Sequence, residues 1–147
     1  MVGPIANAAT TAQTLFTQPW VAWLGLLFLC GAYLQGAFDK LRDFPGAVAE
    51  MRQFGLAPAA PFAAGTIALE FAASALVLSG HYRWLGALAL AGFTALATLL
   101  ANVVASRFWT LPRPQRTSAA NGFFEHWGLV GGFLLVAWFD LKGLHVA

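Results

Sequence analysis

Glu70 stands inside an apolar run from about Pro61 to Leu78, where an ionisable side chain is costly. A charge at the centre of hydrocarbon costs roughly 3 kcal/mol on insertion scales, so such a group turns inward and has a partner or a task. Other polar residues fall at helical spacing around it. Thr66, Glu70 and Ser74 make one stripe, and Thr94, Thr98, Asn102 and Ser106 a second. Tyr33, Gly36 and Lys40 make a third, while Asn121 and Glu125 share a face with Gly128 and Gly132. A structural ion pair with Lys40 or Arg83 and a binding role both fit Glu70; unpaired, it would serve as a proton relay. Lys40 also has a stem long enough to snorkel to the interface. Glu125 and His126 open a later apolar run, where an acid suits the positive end of a helix dipole. The Ser, Thr and Gly positions also have a plainer reading, since small residues let membrane helices approach closely.

Several chemistries are excluded. Cys30 is the single cysteine, which rules out intramolecular dithiol exchange. His81, His126 and His145 lie on separate segments without ligand spacing, so no metal site is expected, and His81 and His145 read as interfacial. There is no nucleophile elbow, phosphate loop or dinucleotide fingerprint. The eight Lys and Arg are scattered rather than gathered in a basic patch, so nucleic acid is not an expected partner.

Elements that could hold these groups follow from composition. With 59% hydrophobic and 10% charged residues, a chain of 147 residues cannot cover itself for water. Its partner is the lipid bilayer. About twenty apolar residues cross the hydrocarbon as a helix, and four runs qualify: about 20–38, 61–78, 85–106 and 121–141. Trp20, Trp23, Trp84, Trp127 and Trp138 lie near their ends as interfacial anchors. Between the first two, Val48, Met51 and Phe54 recur at three-residue spacing and predict a short amphipathic surface helix from Pro45 to Phe54. Residues 107–120, with Pro112 and Pro114, are expected to be irregular. The expected fold is an all-α membrane protein, a four-transmembrane-helix bundle with that surface helix between spans one and two. Its divisions are a lead-in over 1–19 (interfacial or disordered), one membrane domain over 20–141 and a tail over 142–147. The lead-in carries no Lys or Arg and does not resemble a secretory signal, so the first span is expected to act as the insertion signal.

Orientation is expected from the flanking cations. Lys40, Arg42, Arg52, Arg107, Arg113 and Arg116 fall on one side, Arg83 and Lys142 on the other. The positive-inside rule then places both long loops in the cytoplasm and both termini outside. Lys40, Thr66, Thr98, Asn102, Asn121 and Glu125 fall in the cytoplasmic half, with Glu70 at its deep end. One polar cavity open toward that interface is expected.

The order of short motifs resembles the DoxX family of small bacterial membrane proteins. The residues are Gly36-Ala37-Phe38-Asp39-Lys40-Leu41, then Met51 to Gly55-Leu56-Ala57-Pro58, then Ala68-Leu69-Glu70 ahead of Gly80 and Arg83. Arg107-Phe108-Trp109, Gln115 and Gly122-Phe123-Phe124-Glu125-His126 leading into Gly131-Gly132 continue it, so that it covers about 20–140. The resemblance implies a four-helix bundle in the bacterial inner membrane, with Lys40, Glu70 and Arg83 at the family's charged positions. The family commonly has His where Arg107 stands and Lys-Asn where Glu125-His126 stand, so this chain brings a carboxylate and an imidazole to the pocket mouth. Relatives are linked to quinone-dependent thiosulfate oxidation and to redox-stress complexes. The expected function is therefore an accessory or quinone-interacting subunit of a membrane redox complex, with other membrane or redox subunits as partners. Lys40, Glu70, Arg83, Asn102, Glu125 and His126 are the expected ligand-binding residues. The alternatives are a non-catalytic assembly subunit and a proton or small-solute pathway.

Overall fold

A computed structural model describes residues 4–144, the side chains of residues 4–7, 104 and 105 excepted; His145 lies outside the described residues. The described chain is helical throughout, with no strand. The lead-in is itself a helix, α1 (Pro4–Phe16), with its described side chains exposed. Thr17 closes it by donating back to the Gln13 carbonyl at 2.7 Å. Leu15 and Phe16 then stand exposed beside Trp20 and Trp23, a run of side chains suited to the interfacial layer.

The first span is α2 (Pro19–Arg42), begun by Pro19 in the first turn where its missing N–H costs nothing. Asp43 ends it and caps the next helix, α3 (Phe44–Gln53), its carboxylate accepting from the Gly46 amide at 3.0 Å. This is the amphipathic segment expected from the three-residue spacing. Ala47, Val48 and Met51 face inward and pack with Ala63. The second span is α4 (Ala59–Ser79), and Gly80, in the left-handed region at φ 80°, terminates it. The third span opens as α5 (Arg83–Leu99) and passes without a break into a π-helical turn, Leu100–Ala105. A 3₁₀ turn at Phe108–Thr110 leads to α6 (Arg113–Leu141).

The expected irregular segment after span three is thus only partly irregular: helix begins at Arg113, not near Asn121. Pro112 stands at the N-cap and Pro114 in the first turn, where proline's fixed φ starts a helix instead of breaking one. At 1.5 Å per residue α6 is about 43 Å long, beyond the ~30 Å of hydrocarbon, so its first turns carry Arg113 and Arg116 outside the lipid core.

Among the described residues, four helices are long and apolar enough to span a membrane. α5 packs between α4 and α6, and α4 lies against α2. The buried core gathers Leu26, Cys30 and Tyr33 of α2, Ala73 and Val77 of α4, Ala87, Leu90 and Ala91 of α5, and Val130, Phe133 and Ala137 of α6. Many large apolar side chains point outward instead, Phe28 at 76% and Phe124 at 70% exposure among them. In water that surface would be untenable; in lipid it is the solvated face.

Candidate functional site

The helix ends nearest α3 line a half-open cavity of about 470 Å³. Most of its polar groups come from four helices. α2 contributes Tyr33, Gly36 and Lys40, α4 contributes Thr66 and Glu70, α5 contributes Thr94 and Thr98, and α6 contributes His126. Phe62, Phe93, Leu96 and Leu129 supply apolar walls, while Glu50, Met51 and Phe54 of the α3 segment complete the lining.

Lys40 and Glu70 meet at its heart. The ammonium Nζ lies 3.0 Å from Glu70 Oε1 and 3.2 Å from Oε2. Glu70 is 3% exposed, so its charge is tolerable only because the lysine neutralises it. The lysine side chain, at 21%, keeps some access to the cavity side. Gly36 leaves room for this geometry, in which Nζ folds back one turn along α2, 3.5 Å from the Gly36 carbonyl. A Cβ at residue 36 would stand 3.3 Å from Nζ, a tight contact that asks the end of the lysine stem to give by a few tenths of an ångström.

Two further pairs cross the helices. The Tyr33 hydroxyl bonds the Thr94 hydroxyl, which itself donates to the Leu90 carbonyl at 2.7 Å. Thr98 Oγ1 lies 3.1 Å from His126 Nδ1 and ties α5 to α6 at the cavity wall. The cavity therefore offers an ammonium–carboxylate pair on α2 and α4, and a hydroxyl–imidazole pair on α5 and α6, across a mostly apolar interior.

The remaining expected site residues lie elsewhere. Asn102 donates to the Thr98 carbonyl at 3.1 Å, where the α ladder gives way to the π turn, and does not line the cavity. Glu125 and Asn121 are exposed on α6 outside it. Ser74 lies buried in the core next to Cys30. Arg83 is at the opposite end of the bundle. It is 4% exposed, with Nε donating to the Val77 carbonyl at 3.0 Å, so its guanidinium closes the last turn of α4. Beside it Asp140 of α6 accepts the Trp84 amide at 3.0 Å and caps α5. These contacts hold the α4–α5 hairpin against α6 and are remote from Glu70. Of the two cations that suited Glu70, the fold brings Lys40.

The α3 wall was the part of the site that spacing missed. Glu50, Met51 and Phe54 read as parts of a surface helix, and their apolar periodicity says only that one face is covered, not what covers it. The pairing of Tyr33 with Thr94 was nearer to hand, since both lie on polar stripes at similar depth.

A DoxX family model matches residues 22–103, more than half of the chain. The chain belongs to the DoxX family. No curated protein and no solved structure matches it. The DoxX match holds α2 to α5 and most of the π turn, and with them Lys40, Glu70, Arg83 and Asn102. His126 and the rest of α6 lie beyond it. Membership and the four spans together make this DoxX protein a multi-pass membrane protein.

Proposed function

We propose that this DoxX protein is a quinone-interacting accessory subunit of a redox complex in the bacterial inner membrane. The observation that carries the reading is the cavity itself. It is apolar in most of its lining, yet it presents hydrogen-bonding groups from two walls. A quinone ring is flat, apolar and neutral, with a carbonyl on either side, and needs that combination. Lys40 would donate to one carbonyl while Glu70 keeps the ammonium neutralised and in place. The Thr98 hydroxyl and the His126 imidazole stand on the other wall to bond the second. Phe62, Phe93 and Leu129 would pack on the ring and exclude water. A bound quinone would supply two-electron, two-proton redox capacity; the chain's own part is to bind and orient the head group. On this reading the electrons come from another subunit's chemistry.

The test is binding. The protein is extracted with its native lipid in polymer-bounded discs, its bound isoprenoids are analysed, and its unfolding temperature is followed as a short-tailed quinone is added. A retained quinone and a concentration-dependent upward shift are expected. Thr98→Val, which keeps the shape and removes the hydroxyl, should weaken binding by about tenfold, the loss of one buried hydrogen bond. Absence of both retained quinone and quinone-dependent stabilisation would overturn the proposal.

A further inference from the structure

Glu50 is the one charged group of the cavity lining that the contacts above leave unused. It is exposed on α3 and lines the same space as Lys40 and Glu70. The lining thus carries two carboxylates against one ammonium, the Tyr33 phenol and the His126 imidazole being its other titratable groups. Arg42, at the end of α2, and Arg52, two residues beyond Glu50 on α3, do not line it. Because Glu70 holds both oxygens within 3.2 Å of Lys40 Nζ, the positive charge is already answered, and among the lining groups the Glu50 carboxylate is the charge in excess.

We infer that Glu50 is a charge filter, restricting the cavity to head groups without net negative charge. A carboxylate there acts over about 8 Å at physiological salt, and farther where low-dielectric walls focus its field. A ligand carbonyl or hydroxyl pays nothing to pass it. A phosphate, sulfate, carboxylate or small oxyanion meets like charge and finds the charge of Lys40 already neutralised by Glu70. Discrimination of this kind comes from repulsion of the wrong ligand more than from attraction of the right one. The inference rests on the quinone reading for the ligand, but it concerns charge alone.

The experiment uses the full chain in discs of zwitterionic lipid and two probes of matched tail: a decyl-1,4-naphthoquinone and its 2-hydroxy counterpart, which is ionised at neutral pH. Binding is read by quenching of tryptophan fluorescence. Wild type should favour the neutral ring; Glu50→Gln should narrow the ratio about tenfold, and Glu50→Lys should favour the anion. Glu50 is exposed, so neither variant threatens the fold. If both probes bind and their ratio is the same in all three proteins, the filter is wrong while the quinone reading stands. If neither quinone binds wild type, the quinone reading is wrong, and monodecanoylglycerol against decanoate on the same proteins decides the filter. A Glu50-dependent ratio in that pair supports it; indifference, or no binding at all, overturns it.

Discussion

Lys40 and Glu70 are unequal partners, and the inequality is measurable. Glu70 is buried at 3% exposure, whereas Lys40, on a long stem at 21%, can swing toward the interface. Removing the lysine strands a carboxylate in the bundle; removing the carboxylate leaves an ammonium that can move out to water. Lys40→Met should therefore destabilise by about 3 kcal/mol and Glu70→Gln by about 1 kcal/mol. Replacing both, Lys40→Met with Glu70→Gln, should recover most of the loss, because no charge is then left alone in the interior. Reversible unfolding in mixed micelles, read as a double-mutant cycle, checks this; two equal single effects that simply add would refute it. The inward turn of Glu70 was legible in the sequence because a carboxylate in a span has few other options. Which cation would answer it was not legible, since Lys40 and Arg83 were both available. The fold decides by depth: Arg83 is spent at the far end on the Val77 carbonyl.

The contact between α4 and α5 depends on a small residue more than on any polar one. At Gly86 an added Cβ would lie 2.5 Å from the Ala73 carbonyl oxygen and 2.8 Å from the Leu76 Cβ. Backbone is in the way, so no rotamer change relieves the clash and the helices must separate. Gly92, two turns along the same helix, has open space at its Cβ position. Gly86→Ala should cost about 3 kcal/mol, while Gly92→Ala should gain roughly 0.5 kcal/mol from helix propensity alone. Equal effects of the two in an unfolding titration would show that the close approach at Gly86 contributes nothing. No periodicity separates these two glycines, both placed in one apolar span. The four spans and α3 were readable because length, hydropathy and three-residue spacing are local properties. The early start of α6 was not, since Pro112 and Pro114 mark a helix start as well as a loop and spacing alone does not tell which. The enclosure of the cavity by α3 was out of reach for a different reason: it depends on how far the turn at Asp43 folds the chain back across α4.

The fold also sharpens the expected orientation of the chain in the bilayer. Two of the eight cations counted toward it, Lys40 and Arg83, are held by Glu70 and by the Val77 carbonyl. A charge serving such a contact is poor evidence for topology, and these two stood on opposite sides. Without them, Arg42, Arg52, Arg107, Arg113 and Arg116 face Lys142 alone, so the asymmetry grows. The long α6 keeps Arg113 and Arg116 in its projecting first turns, beyond the hydrocarbon where the rule applies. The α3 side, with the cavity mouth and Glu50, should then be cytoplasmic, and the His81–Tyr82 hairpin periplasmic together with both termini. Cys30 makes the check clean, because it is the one native thiol and is fully buried. His81→Cys and Gln53→Cys place single exposed thiols on opposite ends of the bundle. In spheroplasts a membrane-impermeant maleimide should label the cysteine at 81 and spare the one at 53 until the membrane is broken, with wild type silent throughout. The reverse pattern would invert the protein and turn the cavity mouth to the periplasmic side.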